Sequence, residues 1–229
     1  MAYWLVIGNK NASSWSLRPW LAMRQAGIAF DEIKIDLRAP DAKARILEHS
    51  PSGKVPALLT GGRAIWDSLA ILEFLAETHP RAVPWPKPAA ARAHARSVAA
   101  EMHAGFQALR EHCPMDFLSR APKARLPKAV AADVRRIVAI WQDCRRLHGS
   151  GGPFLFGRFS PADAMYAPVA SRFRTYLPKL APYGDDGTAQ AYVEALFSLP
   201  TMTEWEEGAR AEMRAASARA RSAPRRTRP

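Results

Sequence analysis

The chain has 229 residues, 48% of them hydrophobic, and 33 Lys+Arg against 21 Asp+Glu give a formal net charge of +12. That length and apolar content supply a sizeable core in one large or two small domains. With no run of eighteen apolar residues and no charged stretch leading into an apolar one at the start, a helical membrane span is excluded and a soluble, cytosolic protein is expected.

The first eighty residues alternate strand and helix signals. Tyr3 to Gly8 is an apolar run that reads as a strand, and Ser14 to Ala26 reads as a helix with Leu17, Trp20 and Leu21 on one face, Pro19 in its first turn and Gly27 as its stop. Phe30 to Asp36 alternates with period two, as a half-buried strand does. A short helix from Asp41 to Glu48 follows, then a hairpin in which Pro56–Thr60 and Ala64–Trp66 flank Gly61-Gly62, and then a helix from Asp67 to Thr78. The order βαβαββα fits a thioredoxin-like sheet.

Four prolines between Pro80 and Pro88 stop any helix and mark a linker. Beyond them the chain is expected to be helical throughout, over Ala89–His112, Pro127–His148, a helix opened by Ser160-Pro161-Ala162-Asp163, Thr188–Phe197 and Thr201–Ala216. Ser160 and Asp163 form a variant capping box with Pro161 at the first helical position. The expected organisation is an α/β domain over 1–79, a linker over 80–88 and an all-α domain over 89–216. Residues 217–229 have no apolar period and are expected to be a disordered tail. Seven arginines against the single Glu212 lie between Arg210 and Pro229, so half of the excess charge belongs to this end, which weakens the case for nucleic acid as a partner.

Chemistry concentrates at three places. Ser13-Ser14-Trp15-Ser16-Leu17-Arg18 puts hydroxyls where the first strand turns into a helix, a junction whose unpaired N–H groups stabilise an anion and ease ionisation of a thiol held there. Lys54-Val55-Pro56 precedes the third strand, and Asp67-Ser68 opens the next helix. Cys113 and Cys144 belong to no C-x-x-C pair or metal-ligand spacing and read as reduced and structural, and no histidine pair has a metal pattern, so no metal is predicted. His103 and His112 have no acidic partner at a recognisable spacing and read as structural or peripheral.

Together these motifs, in this order, resemble the cytosolic glutathione transferases, and most of all their zeta-like bacterial branch. That branch has Ser-Ser-Cys-Ser-x-Arg where this chain has Ser13-Ser14-Trp15-Ser16-Leu17-Arg18. Phe156-Gly157-x-Phe159-Ser160-x-Ala162-Asp163 is also similar to the family's second-domain capping motif.

The resemblance implies that glutathione is the co-substrate, that Ser13 donates to its sulfur with Ser14 as the rival for that task, and that the chain is a homodimer using part of the helix from Asp67. It also implies a cis Val55–Pro56 peptide whose valine backbone pairs with the cysteinyl unit, and Asp67 and Ser68 holding the γ-glutamyl end. Lys54 would face the glycyl carboxylate or simply be exposed, and Gln107 aligns loosely with a glutamine that touches glutathione. Met102, Phe106 and Arg110, four residues apart, would line the second-substrate pocket or pack in the core. Arg18 would reach a glutathione carboxylate or a buried acid, or lie on the surface.

The activity implied is conjugation of a small electrophile, a detoxifying chemistry. The alternatives are glutathione-dependent cis–trans isomerisation of the maleylacetoacetate type, which Trp15 in place of cysteine argues against, and a non-catalytic glutathione-binding protein.

Overall fold

β1 (Trp4–Ile7) divides its residues by pleat: Leu5 and Ile7 face the main core, whereas Val6 joins Ile35, Ala42, Ile46 and Ala57 in a smaller cluster across the sheet. The computed structural model describes residues 2–222. It pairs β1 in parallel with β2 (Asp31–Lys34), Trp4 opposite Asp31, and antiparallel with β3 (Ala57–Thr60), Trp4 opposite Leu59. β4 (Arg63–Trp66) returns antiparallel along β3 through Gly61 and Gly62, both in the left-handed region that such a turn requires. The strand order is β2-β1-β3-β4.

α1 (Ser14–Gln25) and α3 (Ser68–Thr78) cover one face of the sheet, and α2 (Ala42–Leu47) covers the other through Ala42 and Ile46. This is the expected thioredoxin-like order. α3 buries Ile71, Leu72 and Leu75 within the chain, with Leu69 and Phe74 half-buried against the same core.

The rest of the described chain is helical: α4 (Ala89–Ala104), α5 (Gln107–His112), α6 (Lys128–His148), α7 (Pro161–Tyr176), α8 (Thr188–Phe197) and α9 (Pro200–Ser222), with a 3-10 turn at Ala181–Tyr183. α7 is buried along almost its whole length and packs against α1, α4 and α8. Trp141 of α6 meets Tyr166 and Phe173 of α7 and Tyr192 of α8 with ring centroids 5.7, 5.3 and 4.8 Å away. Leu17, Trp20 and Leu21 of α1 belong to the same continuous core as these rings.

Two elements differ from the sequence expectation. The single helix predicted over Ala89–His112 is broken at Gly105–Phe106, where Phe106 takes a left-handed φ of 62°. Arg110 folds back across the break and donates to the carbonyls of Met102, His103 and Gly105, occupying the acceptors that a continuing helix would have used. α9 runs on to Ser222, into the segment expected to be tail, because alanine and arginine are both good helix formers. The remainder of the expected tail, 223–229, lies outside the described residues.

Cys113 and Cys144 are free and buried, and burial raises both thiols, Cys144 to about 12. Neither is a ready nucleophile.

Candidate active site

A cleft of about 690 Å³ opens where the start of α1, the segment before β3 and the β4–α3 junction converge. Ser13, Ser14, Lys54, Val55, Pro56, Asp67 and Ser68 all line it, together with Trp15. Three separate sequence motifs thus meet at the end of the sheet where β1 hands over to α1.

Ser13 is the N-cap residue of α1, yet its side chain makes no capping hydrogen bond. Its hydroxyl lies 2.7 Å from that of Ser16, and the Ser16 oxygen accepts the Gly8 N–H at 3.1 Å. When Ser16 accepts from Gly8 and donates to Ser13, the Ser13 proton is left for a group in the cleft. The first-turn amides of α1 stand beside it, and such amides have no partner within their own helix. Ser14 also lines the cleft, with its N–H on the Ala12 carbonyl at 3.1 Å.

The Val55–Pro56 peptide is cis, with Val55 half-buried at the cleft wall and Lys54 exposed at its rim. Asp67 sits at φ 75°, and one carboxylate oxygen accepts the Leu69 N–H at 2.8 Å, capping α3. The other oxygen is 3.3 Å from Nε2 of His103. The acidic partner that spacing along the chain does not give His103 reaches it through space from the β4–α3 junction.

Beneath this rim, Ser68 is fully buried and accepts from the Arg18 guanidinium at 3.1 Å. Arg18 is itself fully buried, its Nε has no partner among the described residues, and burial together with the nearby Arg110 and Arg172 pushes it down to about 9. Its side-chain partner within the chain is thus a hydroxyl and not a buried acid, and it does not lie on the surface. Trp15 is stacked by the Arg18 guanidinium at 4.2 Å and by that of Arg110 at 5.1 Å, with the His103 ring edge-on at 5.1 Å. Burial lowers the His103 imidazole, the two arginines lower it further, and Asp67 opposes them.

Other expected site residues lie elsewhere. Gln107 is exposed and bonded to Glu111 at 2.7 Å, away from the cleft lining. Met102 and Phe106 are buried in the main core, and the break between α4 and α5 removes the shared helix face expected for them and Arg110. Arg110 reaches the cleft only through its stacking on Trp15.

Residues 12–78 match the family model of the glutathione S-transferase N-terminal domain. The chain is 35% identical over 108 residues to a probable maleylacetoacetate isomerase of Caenorhabditis elegans, an overlap of 47% of each protein, so it spans about half the length of that relative. It is 28% identical to the maleylacetoacetate isomerase of Rattus norvegicus, over 76% of this chain and 79% of the rat protein. Its fold is similar to that of a glutathione transferase homologue from Burkholderia gl BGR1 with bound glutathione, at TM-score 0.66 and 20% identity, covering 92% of this chain and 98% of the other. With a thioredoxin-like sheet and a helical second half behind them, the matches show that residues 12–78 are similar to the glutathione S-transferase N-terminal domain and that the chain shares the fold of the glutathione transferases.

Proposed function

We propose that this cleft binds reduced glutathione, that Ser13 ionises its thiol, and that the thiolate attacks a small electrophile. The observation that carries this reading is the Gly8–Ser16–Ser13 hydrogen-bond chain beside a cleft walled by Val55–Pro56 and Asp67–Ser68; with Ser16 donating to Ser13, the Ser13 proton is available to a thiol held there. A hydroxyl donating to an anion beside a helix start stabilises it by a charge-assisted bond. The Val55 backbone would pair with the cysteinyl unit, and Lys54 would face the glycyl carboxylate. Ser68 and the start of α3 would take the γ-glutamyl carboxylate, with Asp67 against its ammonium. Two such chains would pair as a homodimer in the cytoplasm, which sedimentation of the purified protein checks.

Glutathione-dependent isomerisation is the second reading. The names of the nematode and rat relatives favour it, and the Arg18 and Arg110 guanidiniums stacked on Trp15 put positive charge beside the cleft, which suits a dicarboxylate. Thiolate absorbance against pH, with glutathione bound, tests the shared step. A bound thiol titrating well below free glutathione supports an enzyme, and one titrating no lower supports a non-catalytic binder. Turnover of chloronitrobenzene against maleylacetoacetate then separates conjugation from isomerisation.

The Asp67–His103 pair sets a pH dependence. At neutral pH the lowered imidazole is uncharged, and Asp67 is free to meet the ammonium. As pH falls through the imidazole pKa, histidinium competes for the same carboxylate oxygen, and glutathione KM is expected to rise severalfold. His103→Gln should flatten that acid limb, read from KM measured across the pH range.

A further inference from the structure

We infer that α9 is a positioning element for the Ser13 hydroxyl, acting through Lys10; this rests on the reading that Ser13 ionises glutathione. Lys10 lies in the loop between β1 and α1, three residues before Ser13, and it is only 4% exposed. Both of its backbone polar groups are held from α9: its carbonyl accepts the Trp205 indole N–H at 2.9 Å, and its N–H donates to Glu212 at 2.8 Å.

The Lys10 side chain is clasped as well. Its ammonium bonds Glu32 at 2.8 Å and lies 4.8 and 5.2 Å from the ring centres of Trp20 and Trp205. Trp20 donates to the same Glu32 oxygen at 2.6 Å, and the two indoles meet edge-to-face at 4.9 Å. The aliphatic stem lies on α9 at Gly208, where an added Cβ would come within 2.8 Å of the lysine Cδ.

This grip passes directly to the site. The carbonyl of Asn9, the residue before Lys10, accepts the N–H groups of Ala12 at 3.1 Å and Ser13 at 2.8 Å. α9 therefore anchors the turn that sets where the Ser13 oxygen sits relative to Ser16 and to an incoming sulfur. A hydrogen bond to a thiolate weakens steeply once its geometry drifts. Among the described residues, none of α9 lines the cleft, so the helix acts on the hydroxyl and not on glutathione.

Trp205→Phe keeps a ring in the core and deletes the indole N–H; Glu212→Ala deletes the acceptor from a half-buried position on the helix. In the full-length protein, each variant is expected to move the thiol pKa of bound glutathione toward that of the free tripeptide. Each should also lower kcat at neutral pH by roughly tenfold, with glutathione KM within about twofold because the binding groups are untouched. A merely stabilising role for α9 would lower the melting temperature and leave the thiol pKa where it is. Two folded variants with a wild-type thiol pKa overturn the proposal, and Glu212→Ala alone decides it if Trp205→Phe does not fold. A wild-type protein that does not lower the thiol pKa at all overturns instead the ionisation on which the proposal rests.

Discussion

Ser13→Ala is expected to lower kcat for conjugation about 100-fold at neutral pH, the range seen when one donor to a reacting anion is removed. The hydroxyl is well placed for that role: it spends nothing on capping α1, and it pairs with the Ser16 hydroxyl, from which it can accept while its own proton turns to the cleft. Alanine removes the donor while the Gly8–Ser16 bond and the first turn of α1 remain. The helix start then still favours the thiolate, worth about 0.3–1 kcal/mol at a surface site, which cannot replace a charge-assisted bond. Bound glutathione should therefore shift from mostly thiolate toward the few per cent that a free thiol with a pKa of about 8.5 shows at pH 7. Glutathione KM should change little. Ser14→Ala, one residue on, is the control: it should cost severalfold at most. A wild-type thiol titration in Ser13→Ala, with a raised one in Ser14→Ala, would transfer the role to Ser14.

What was legible in the sequence was local. Ser13 to Arg18, Val55-Pro56 and Asp67-Ser68 each combine a turn or helix-start signal with a hydrophobic run, and such signals lie within a few residues of one another. The fold then brings the three together because β1, β3 and β4 are neighbours in the sheet, so the junctions at their ends share one edge. His103 was missed because its acid sits on another element, and the apolar period of α4 carries no trace of it.

The break at Gly105–Phe106 escaped for a related reason. Alanines and leucine continue a helical pattern on both sides, and the left-handed turn is held by Arg110 reaching back to three carbonyls. Arg18 shows the same limit: its burial beneath Ser68 depends on α7 covering α1, which no window of sequence around Arg18 contains. The grip of α9 on Lys10 joins the two ends of the chain, and only the assembled core reveals it.

Asp163→Ala carries the largest expected stability loss, and it bears on the same site because α7 packs along α1. Asp163 is fully buried. One of its oxygens accepts the Ser160 N–H at 2.8 Å and the Ser160 hydroxyl at 2.9 Å, and the other accepts the Leu155 N–H at 3.0 Å and the Tyr192 hydroxyl at 2.9 Å. The sequence signal of a capping box thus marks the centre of a network joining the loop before α7, the start of α7 and α8. Alanine strands four buried donors, at a cost of about 3–5 kcal/mol. For a chain of this size the melting temperature should fall by roughly 10 °C.

Asp163→Asn should recover only part of this, because its NH₂ group must face donors where a second oxygen accepted them. Burial lifts the Asp163 carboxyl to about 6, above its ordinary value. The folded state therefore binds the proton more tightly than the unfolded chain, and the residue's contribution declines as pH rises from about 4 to about 6. Melting curves of wild type and Asp163→Ala should accordingly lie furthest apart at the acid end of that window and draw closer across it. A gap that widens with pH would mean that the four donors outweigh burial and hold the carboxylate ionised in the folded state throughout.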